Sequence, residues 1–129
     1  MTLKIRCPSL VCNTSRPGQF LMIWVPGVDE VPMSISNVAG GEVWITVKRV
    51  GEATSAIHRV AEGGVLGVRG PYGKGFTAEG SNVLIVAGGI GAAPLLFQAR
   101  RLSLTNRKIT LILGARTAKK VVLQREFDK

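Results

Sequence analysis

The sequence predicts a β-barrel plus α/β fold: a small antiparallel barrel followed by a partial parallel βαβ unit. Three observations carry this reading. Up to about Phe76 the chain falls into short strand-like runs separated by Gly-, Pro- and Ser-containing turns, with room for one small helix. After "TAEGSN" the texture changes to two continuous apolar runs, "VLIVAG" and "KITLILGA", flanking the helical pattern "GAAPLLFQARRLSL". The chain has 129 residues, 46% hydrophobic and 19% charged, which suits one domain or two very small ones around a packed core. The boundary is placed near Gly80 and Ser81, giving a barrel over 1–80 and a partial nucleotide-binding unit over 81–129.

In chain order, "MTLKIRC" alternates apolar and polar residues and predicts a strand. "NTSRPG" predicts a turn. "QFLMIWV" is rich in β-formers and predicts a buried strand, closed by "PGVDE". "PMSIS" predicts a short strand. "GGEVWITVKRV" opens on a double-glycine turn and then alternates, with Val43, Ile45 and Val47 on one face and Trp44, Thr46 and Lys48 on the other. "ATSAIHRVAEG" fits a short helix, with Ala53, Ile57 and Val60 at helical spacing and Gly63 as its stop. "VLGVRGPYGKGF" starts as a strand and breaks into a Gly-Pro loop. The two apolar strands of the second part are expected to be buried on both faces.

The formal charge of +9 speaks to solubility and association rather than to fold. A basic solvated surface explains it, and so does an anionic ligand or acidic partner. Aromatics are 5% and the basic residues are scattered, so no stacking platform for nucleic acid is visible. Cys7 and Cys12 lack the further Cys or His pair a metal site needs, and two free cysteines suit a reducing cytosol. No secretory pattern and no bilayer-length apolar run is present, so a cytoplasmic chain without a membrane partner is expected. His58, beside Arg59, reads as a surface residue. Trp24 and Trp44 read as core or interface residues.

The chemistry-bearing feature is "VAGGIGAAP". Gly88, Gly89 and Gly91 stand between the predicted strand and helix, where backbone approaches a ligand closely. The helix start aims free N–H groups and its positive dipole end at the loop, which suits a pyrophosphate. Pro94 falls in the first turn, where its missing N–H costs little. The spacing departs from G-x-G-x-x-G because Pro94 occupies the last glycine position, and no acidic residue follows about 20 residues on to hold a ribose. A tight strand–helix connection without a ligand is the competing reading of the loop alone.

The ordered set "PGQF", "PMSIS", "GPYGKGF", "GGIGAAP" and "GART" resembles the ferredoxin–NADP reductase superfamily over nearly the whole chain. Within it, the set is most similar to the electron-transfer subunits of dihydroorotate dehydrogenase of archaeal type, which serve pyrimidine biosynthesis. The resemblance implies a FAD-binding barrel, a nicotinamide-nucleotide domain, and electron transfer between NAD(P), FAD and an iron–sulfur cluster. It implies that Pro32, Met33, Ser34, Ile35 and Ser36 line the flavin, with Ser34 as the hydrogen-bonding residue. Val31 and Met33 replace the usual arginine and aromatic residue of that segment.

Lys48 and Arg49 would add charge, and Thr54 and Ser55 would cap the short helix whose N–H groups meet the flavin pyrophosphate. Ordinary N-capping explains Thr54 and Ser55 equally well. Gly88, Gly89, Gly91 and Pro94 would face the nicotinamide nucleotide. Gly114 and Arg116 of "GART" would sit at the next strand's C-terminal end, Arg116 meeting a ribose or phosphate or simply standing in solvent. Residues 70–76 would close the barrel against the nucleotide domain.

Such chemistry needs no catalytic acid–base side chain, because the protein supplies orientation and electrostatics. Relative to the family, a first barrel strand, the rest of the nucleotide-binding sheet and the cysteine-rich [2Fe–2S] segment are missing, and no cysteine follows Cys12. Three functions are therefore carried forward. They are an electron-transfer module partnered by a dihydroorotate dehydrogenase catalytic subunit or similar redox protein, a hydrogenase gamma-type subunit, and a non-catalytic remnant acting as a binding or assembly partner. Uncovered apolar strands predict a homo-oligomer.

Overall fold

The computed structural model describes residues 1–128. In chain order they form β1 (Thr2–Arg6), α1 (Ser9–Thr14), β2 (Phe20–Val25), β3 (Asp29–Ala39), β4 (Glu42–Thr46), α2 (Glu52–Arg59) and β5 (Gly67–Tyr72). There follow β6 (Asn82–Gly88), α3 (Ala92–Ser103), β7 (Lys108–Gly114) and α4 (Gln124–Phe127). The first five strands make one antiparallel sheet in the order β1-β4-β3-β2-β5. β6 and β7 pair in parallel, residue for residue from Asn82 opposite Lys108 to Gly88 opposite Gly114. The barrel-like sheet followed by a βαβ unit is the predicted architecture.

The period-two alternation of β2 and β4 builds the barrel core. Leu21, Ile23, Ile35, Val43 and Ile45 are fully buried, each contributing about 1.5–3 kcal/mol relative to exposure. Ile57 of α2 plugs the same core, and so does Phe97 of α3. The second unit is thereby fastened to the first through a helix that packs chiefly along β3.

Several expectations need correction. α1 occupies residues just before and into the expected turn, with Val11 and Cys12 packed against the core. β3 runs well beyond "PMSIS" on both sides. α2 stops at Arg59 rather than near Gly63, because Val60 turns to an extended conformation, while Gly63 takes a positive φ in the turn that follows. β6 and β7 are not buried on both faces. Ile85 and Ala87 are buried, whereas Leu84, Val86 and Ile112 are more than half exposed.

Residues 70–76 fold back on the approach to β2. The Phe76 N–H donates to the Pro17 carbonyl at 2.7 Å, and Gln19 Nε2 donates to the Gly73 carbonyl at 2.9 Å. Gly18 permits this seam, since a Cβ there would stand 2.8 Å from the Phe76 nitrogen.

Candidate functional site

The parallel pair ends on two glycines set side by side, Gly88 and Gly114. Beyond Gly88 the chain makes a 3₁₀ turn over Gly89–Gly91, with Gly89 at φ 51°, and enters α3 with Gly91 as N-cap. Glycine suits this corner because the positive φ strains other residues. Pro94 is the third residue of α3, inside the first turn. The C-terminal edge of such a sheet is where α/β folds bind ligands.

That edge opens onto a cavity of about 1150 Å3 shared with the barrel. Lys48, Arg49 and His58 line the barrel side. Gly88, Gly89, Ile90, Gly114 and Arg116 line the other, and Lys119, Lys120 and Glu126 lie along the segment after β7. Five lysine and arginine residues thus border one space with a single carboxylate. Confinement between low-dielectric walls strengthens their attraction for an anion.

The barrel side is held by a ladder of polar contacts. The Met1 carbonyl accepts from the Val47 N–H at 2.8 Å, seating the chain start beside the cavity. Thr46 Oγ1 donates to Ser36 Oγ at 3.3 Å and lies 3.0 Å from Thr2 Oγ1. With the Thr46 proton committed to Ser36, Thr2 is the donor of the outer bond. His58 Nε2 lies 3.0 Å from the Val47 carbonyl, which can only accept, so Nε2 carries a proton. His58 is therefore half-buried and fixed in the cavity wall, not the surface residue expected.

α2 begins with Gly51 as N-cap, and Thr54 does the capping from inside the helix. Its Oγ1 accepts from the Val50 and Gly51 N–H groups, both at 2.9 Å, and donates to the Gly51 carbonyl at 3.0 Å. Thr54 is buried and its hydroxyl is used locally. Ser55 donates its backbone N–H to the Gly51 carbonyl. The amides of Glu52, Ala53 and Thr54 are left as the unpaired first-turn donors that every helix start presents.

Among the predicted site residues, the structure gathers Lys48, Gly88, Gly89, Gly114 and Arg116 around the cavity. Gly91 and Pro94 stand just behind the loop, and Thr54 and Ser55 stand one turn before His58 on α2. The β3 segment is split by its pleat. Pro32 and Ser34 are exposed, Met33 is half-buried against the core, and Ile35 and Ser36 are fully buried. Ser34 pairs across the sheet with Phe20, which in turn pairs with Tyr72, their rings 5.8 Å apart. Sequence reasoning missed this aromatic row, Thr2, Thr46 and the role of His58. The readable signal was the uniqueness of His58.

Beside that row, Arg69 bonds Glu30 through two nitrogens and holds its carboxyl below the usual carboxylate range by hydrogen bonding. On the other side of the barrel, Trp44 is flanked by Lys4 Nζ at 4.5 Å and the Arg100 guanidinium at 5.3 Å, joining β1, β4 and α3. Among the described residues no cluster of His, Cys, Asp or Glu is placed to hold a metal, and no helix is long and apolar enough to cross a membrane.

A barrel packed on a βαβ unit, with a glycine corner facing the barrel across a cationic cavity, is an architecture shared with solved structures. A chain of the NADH-dependent reduced ferredoxin–NADP oxidoreductase superposes with a TM-score of 0.83 and 31% identity, covering 98% of this chain and 51% of the other. The chain is similar in fold to ferredoxin–NADP reductase-like proteins. Phthalate dioxygenase reductase shares this architecture, with a TM-score of 0.76 and 26% identity over 88% of this chain and 38% of that one.

In sequence, the chain is similar to the probable dihydroorotate dehydrogenase B (NAD(+)) electron transfer subunits of two archaea. It is 46% identical over 114 residues to that of Methanocaldococcus jannaschii and 42% identical over 115 residues to that of Archaeoglobus fulgidus. These alignments cover 88% and 89% of this chain but 43% and 47% of the relatives. The chain thus spans less than half the length of these relatives. No protein-family model matches it.

Proposed function

We propose that the chain is the flavin-and-nucleotide portion of an electron-transfer flavoprotein, passing reducing equivalents between a nicotinamide cofactor and FAD. The model for it is the dihydroorotate dehydrogenase electron transfer subunit, and its partner is a dihydroorotate dehydrogenase catalytic subunit or a similar redox protein. The cavity at the junction carries the reading. Its volume of about 1150 Å3 suits dinucleotides, being above the roughly 300–1,000 Å3 of ordinary small-molecule sites. Its lysine and arginine residues match pyrophosphates, and its glycine corner lets backbone come close.

In this reading Lys48, Arg49 and the first-turn amides of α2 attract the flavin pyrophosphate, and exposed Pro32 and Ser34 meet the flavin along β3. Ser36 serves through position alone, its hydroxyl being engaged by Thr46. Gly88, Gly89, Gly91 and Pro94 shape the nicotinamide side. A flavin held there would supply the capacity to accept hydride from a nicotinamide and to release electrons one at a time. The chain's own part is to orient both rings, exclude water between them and stabilise phosphate charge. We place the protein in the cytoplasm, as a homo-oligomer that buries the exposed face of β6 and β7.

The test is direct. The purified chain, incubated with FAD and desalted, is expected to retain a flavin spectrum that bleaches anaerobically on adding reduced nicotinamide nucleotide. A colourless protein that takes up no FAD overturns the flavoprotein reading.

A further inference from the structure

The chain carries two cysteines, Cys7 and Cys12, which the electron-transfer reading does not use. Both are free and half-buried, and both pack against the barrel core. Their places are set by α1. Pro8 is the N-cap of that helix, so Cys7 stands just outside it and Cys12 is its fourth residue. These two positions meet across a helix start, where apolar side chains staple the entering chain to the first turn. Here both staple positions hold thiols.

The corner is fixed from several directions. The Cys7 N–H donates to the Gly41 carbonyl at 3.4 Å, and the Cys12 N–H donates to the Pro8 carbonyl at 3.4 Å. The Cys12 thiol reaches back to Cys7, its Sγ 3.9 Å from the Cys7 carbonyl oxygen. Pro8, between them, has its φ set by its ring. The Cys12 sulfur therefore already lies against the Cys7 residue, and side-chain rotation rather than unfolding separates the two thiols from a bond.

We infer that Cys7 and Cys12 form a redox site, a dithiol that a small-molecule disulfide converts to an intramolecular disulfide, cross-linking the first turn of α1 to the end of β1. The inference does not depend on the flavin reading. The Cys12 thiolate attacks one sulfur of the small disulfide, giving a mixed disulfide and releasing one small thiol. The Cys7 thiolate then attacks the Cys12 sulfur, the Cys7–Cys12 bond forms, and the second small thiol leaves. The two cysteines lose two electrons, which reduce the small disulfide to two thiols, and the two cysteine protons end on those thiols. Burial pushes the Cys7 thiol up, so its attack suits the intramolecular step, where proximity outweighs thiolate population. No third cysteine competes for either sulfur.

The bond would act where local sequence gives least support. α1 has six residues and no side-chain cap. It leads through Ser15, whose hydroxyl donates to the Val11 carbonyl at 2.6 Å, to the Pro17 carbonyl that holds Phe76.

The experiment incubates the full 129-residue chain, reduced and desalted, with glutathione disulfide, quenches with N-ethylmaleimide and reads the mass. The expected product is lighter than the reduced chain by two hydrogens, carries no maleimide and yields a peptide linking residues 7 and 12. Mixed disulfide should build up in urea but not in the folded chain, because the folded corner speeds closure by at least about tenfold. Oxidised protein should melt roughly 4–8 °C higher than reduced protein, since the cross-link restricts the unfolded chain. Cys7→Ser should stop at one glutathione on Cys12, with circular dichroism showing that it is folded; the wild-type readings stand without it.

Two maleimides on the folded chain after incubation, two glutathiones, or a disulfide between chains overturns the inference and leaves the pair as an apolar staple. Equal build-up of mixed disulfide in folded and unfolded protein overturns it as well, since the fold then adds nothing to the spacing in sequence. Oxidised protein that melts at or below the reduced form overturns the part that has the bond holding α1.

Discussion

Replacing Gly18 by alanine tests the seam that fixes the path from the barrel into the βαβ unit. Gly18 sits at φ 91°, and a Cβ there would lie 2.8 Å from the Phe76 nitrogen and 2.9 Å from two ring carbons. The backbone conformation alone costs an alanine about 1–2 kcal/mol. Relieving the contact pulls the Phe76 N–H off the Pro17 carbonyl, now 2.7 Å away, for about another 1 kcal/mol. The sum, ~2–3 kcal/mol, corresponds to a fall in Tm of roughly 8–12 °C for a domain of this size. Thermal melts followed by circular dichroism measure it. Gly40→Ala is the control, since Gly40 also has a positive φ, 61°, but a Cβ there meets nothing within 4 Å. It should show the conformational cost without the contact. Equal losses in Gly18→Ala and Gly40→Ala would refute the packing argument.

Other substitutions probe the site and its supports. Lys48→Gln with Arg49→Gln should weaken FAD retention and flatten its salt dependence, since both charges border the cavity; an unchanged dissociation constant in calorimetry argues against their role. Arg100→Gln removes one of the two cations over Trp44 and should cost about 0.5–1 kcal/mol in urea unfolding, with Arg100→Lys recovering part. Burial first, then the neighbouring Cys12 thiol, pushes the Cys7 thiol up. The folded chain therefore keeps that proton to higher pH than the unfolded chain does. The Cys7 share of stability is full below about pH 8.5 and is lost as pH rises through the folded value. In Cys12→Ser protein, Cys7 should alkylate more slowly at mildly alkaline pH than free cysteine, and equal rates would contradict its burial. Leu84→Lys with Val86→Thr should abolish concentration-dependent light scattering if the open face of β6 joins copies; a wild type that scatters as a monomer at every concentration counts against that assembly.

The strands were legible because each carries its own signal. Alternation in "EVWIT" and the apolar runs around "GGIG" survive any tertiary context, so β4, β6, α3 and β7 emerge from local pattern. α1 did not, because Ser9–Thr14 is six residues of indifferent helix formers with no side-chain cap and no acidic first turn. It is helical because Val11 and Cys12 pack on the barrel, which tertiary context decides. A continuous apolar run also cannot say how many of its faces are covered. "VLIVAG" looks the same whether Leu84 and Val86 meet a helix or solvent. At the site, the glycine corner and Arg116 were visible as motifs. Thr2 and Thr46 were not, since they act only as an antiparallel cross-strand pair between β1 and β4.

The cavity is a property of the junction rather than of the glycine loop. Its two walls belong to different sheets, and what sets their spacing is α3. Phe97 enters the barrel core, Arg100 lies over Trp44, and the same helix starts immediately after Gly91. A change at Phe97 therefore acts twice, opening the core and moving the loop. Phe97→Ala costs about 3–5 kcal/mol as a buried aromatic truncation, and the displaced loop adds a loss of ligand affinity that cavity formation alone does not cause. The reverse also holds. A ligand bridging Lys48 on the barrel and Arg116 beyond β7 ties together elements that the protein otherwise joins mainly through one helix, so binding should raise the melting temperature in proportion to its affinity. In the proposed electron-transfer reading, the two rings would sit on the two walls, and packing of α3 remote from either ring would set the distance between them.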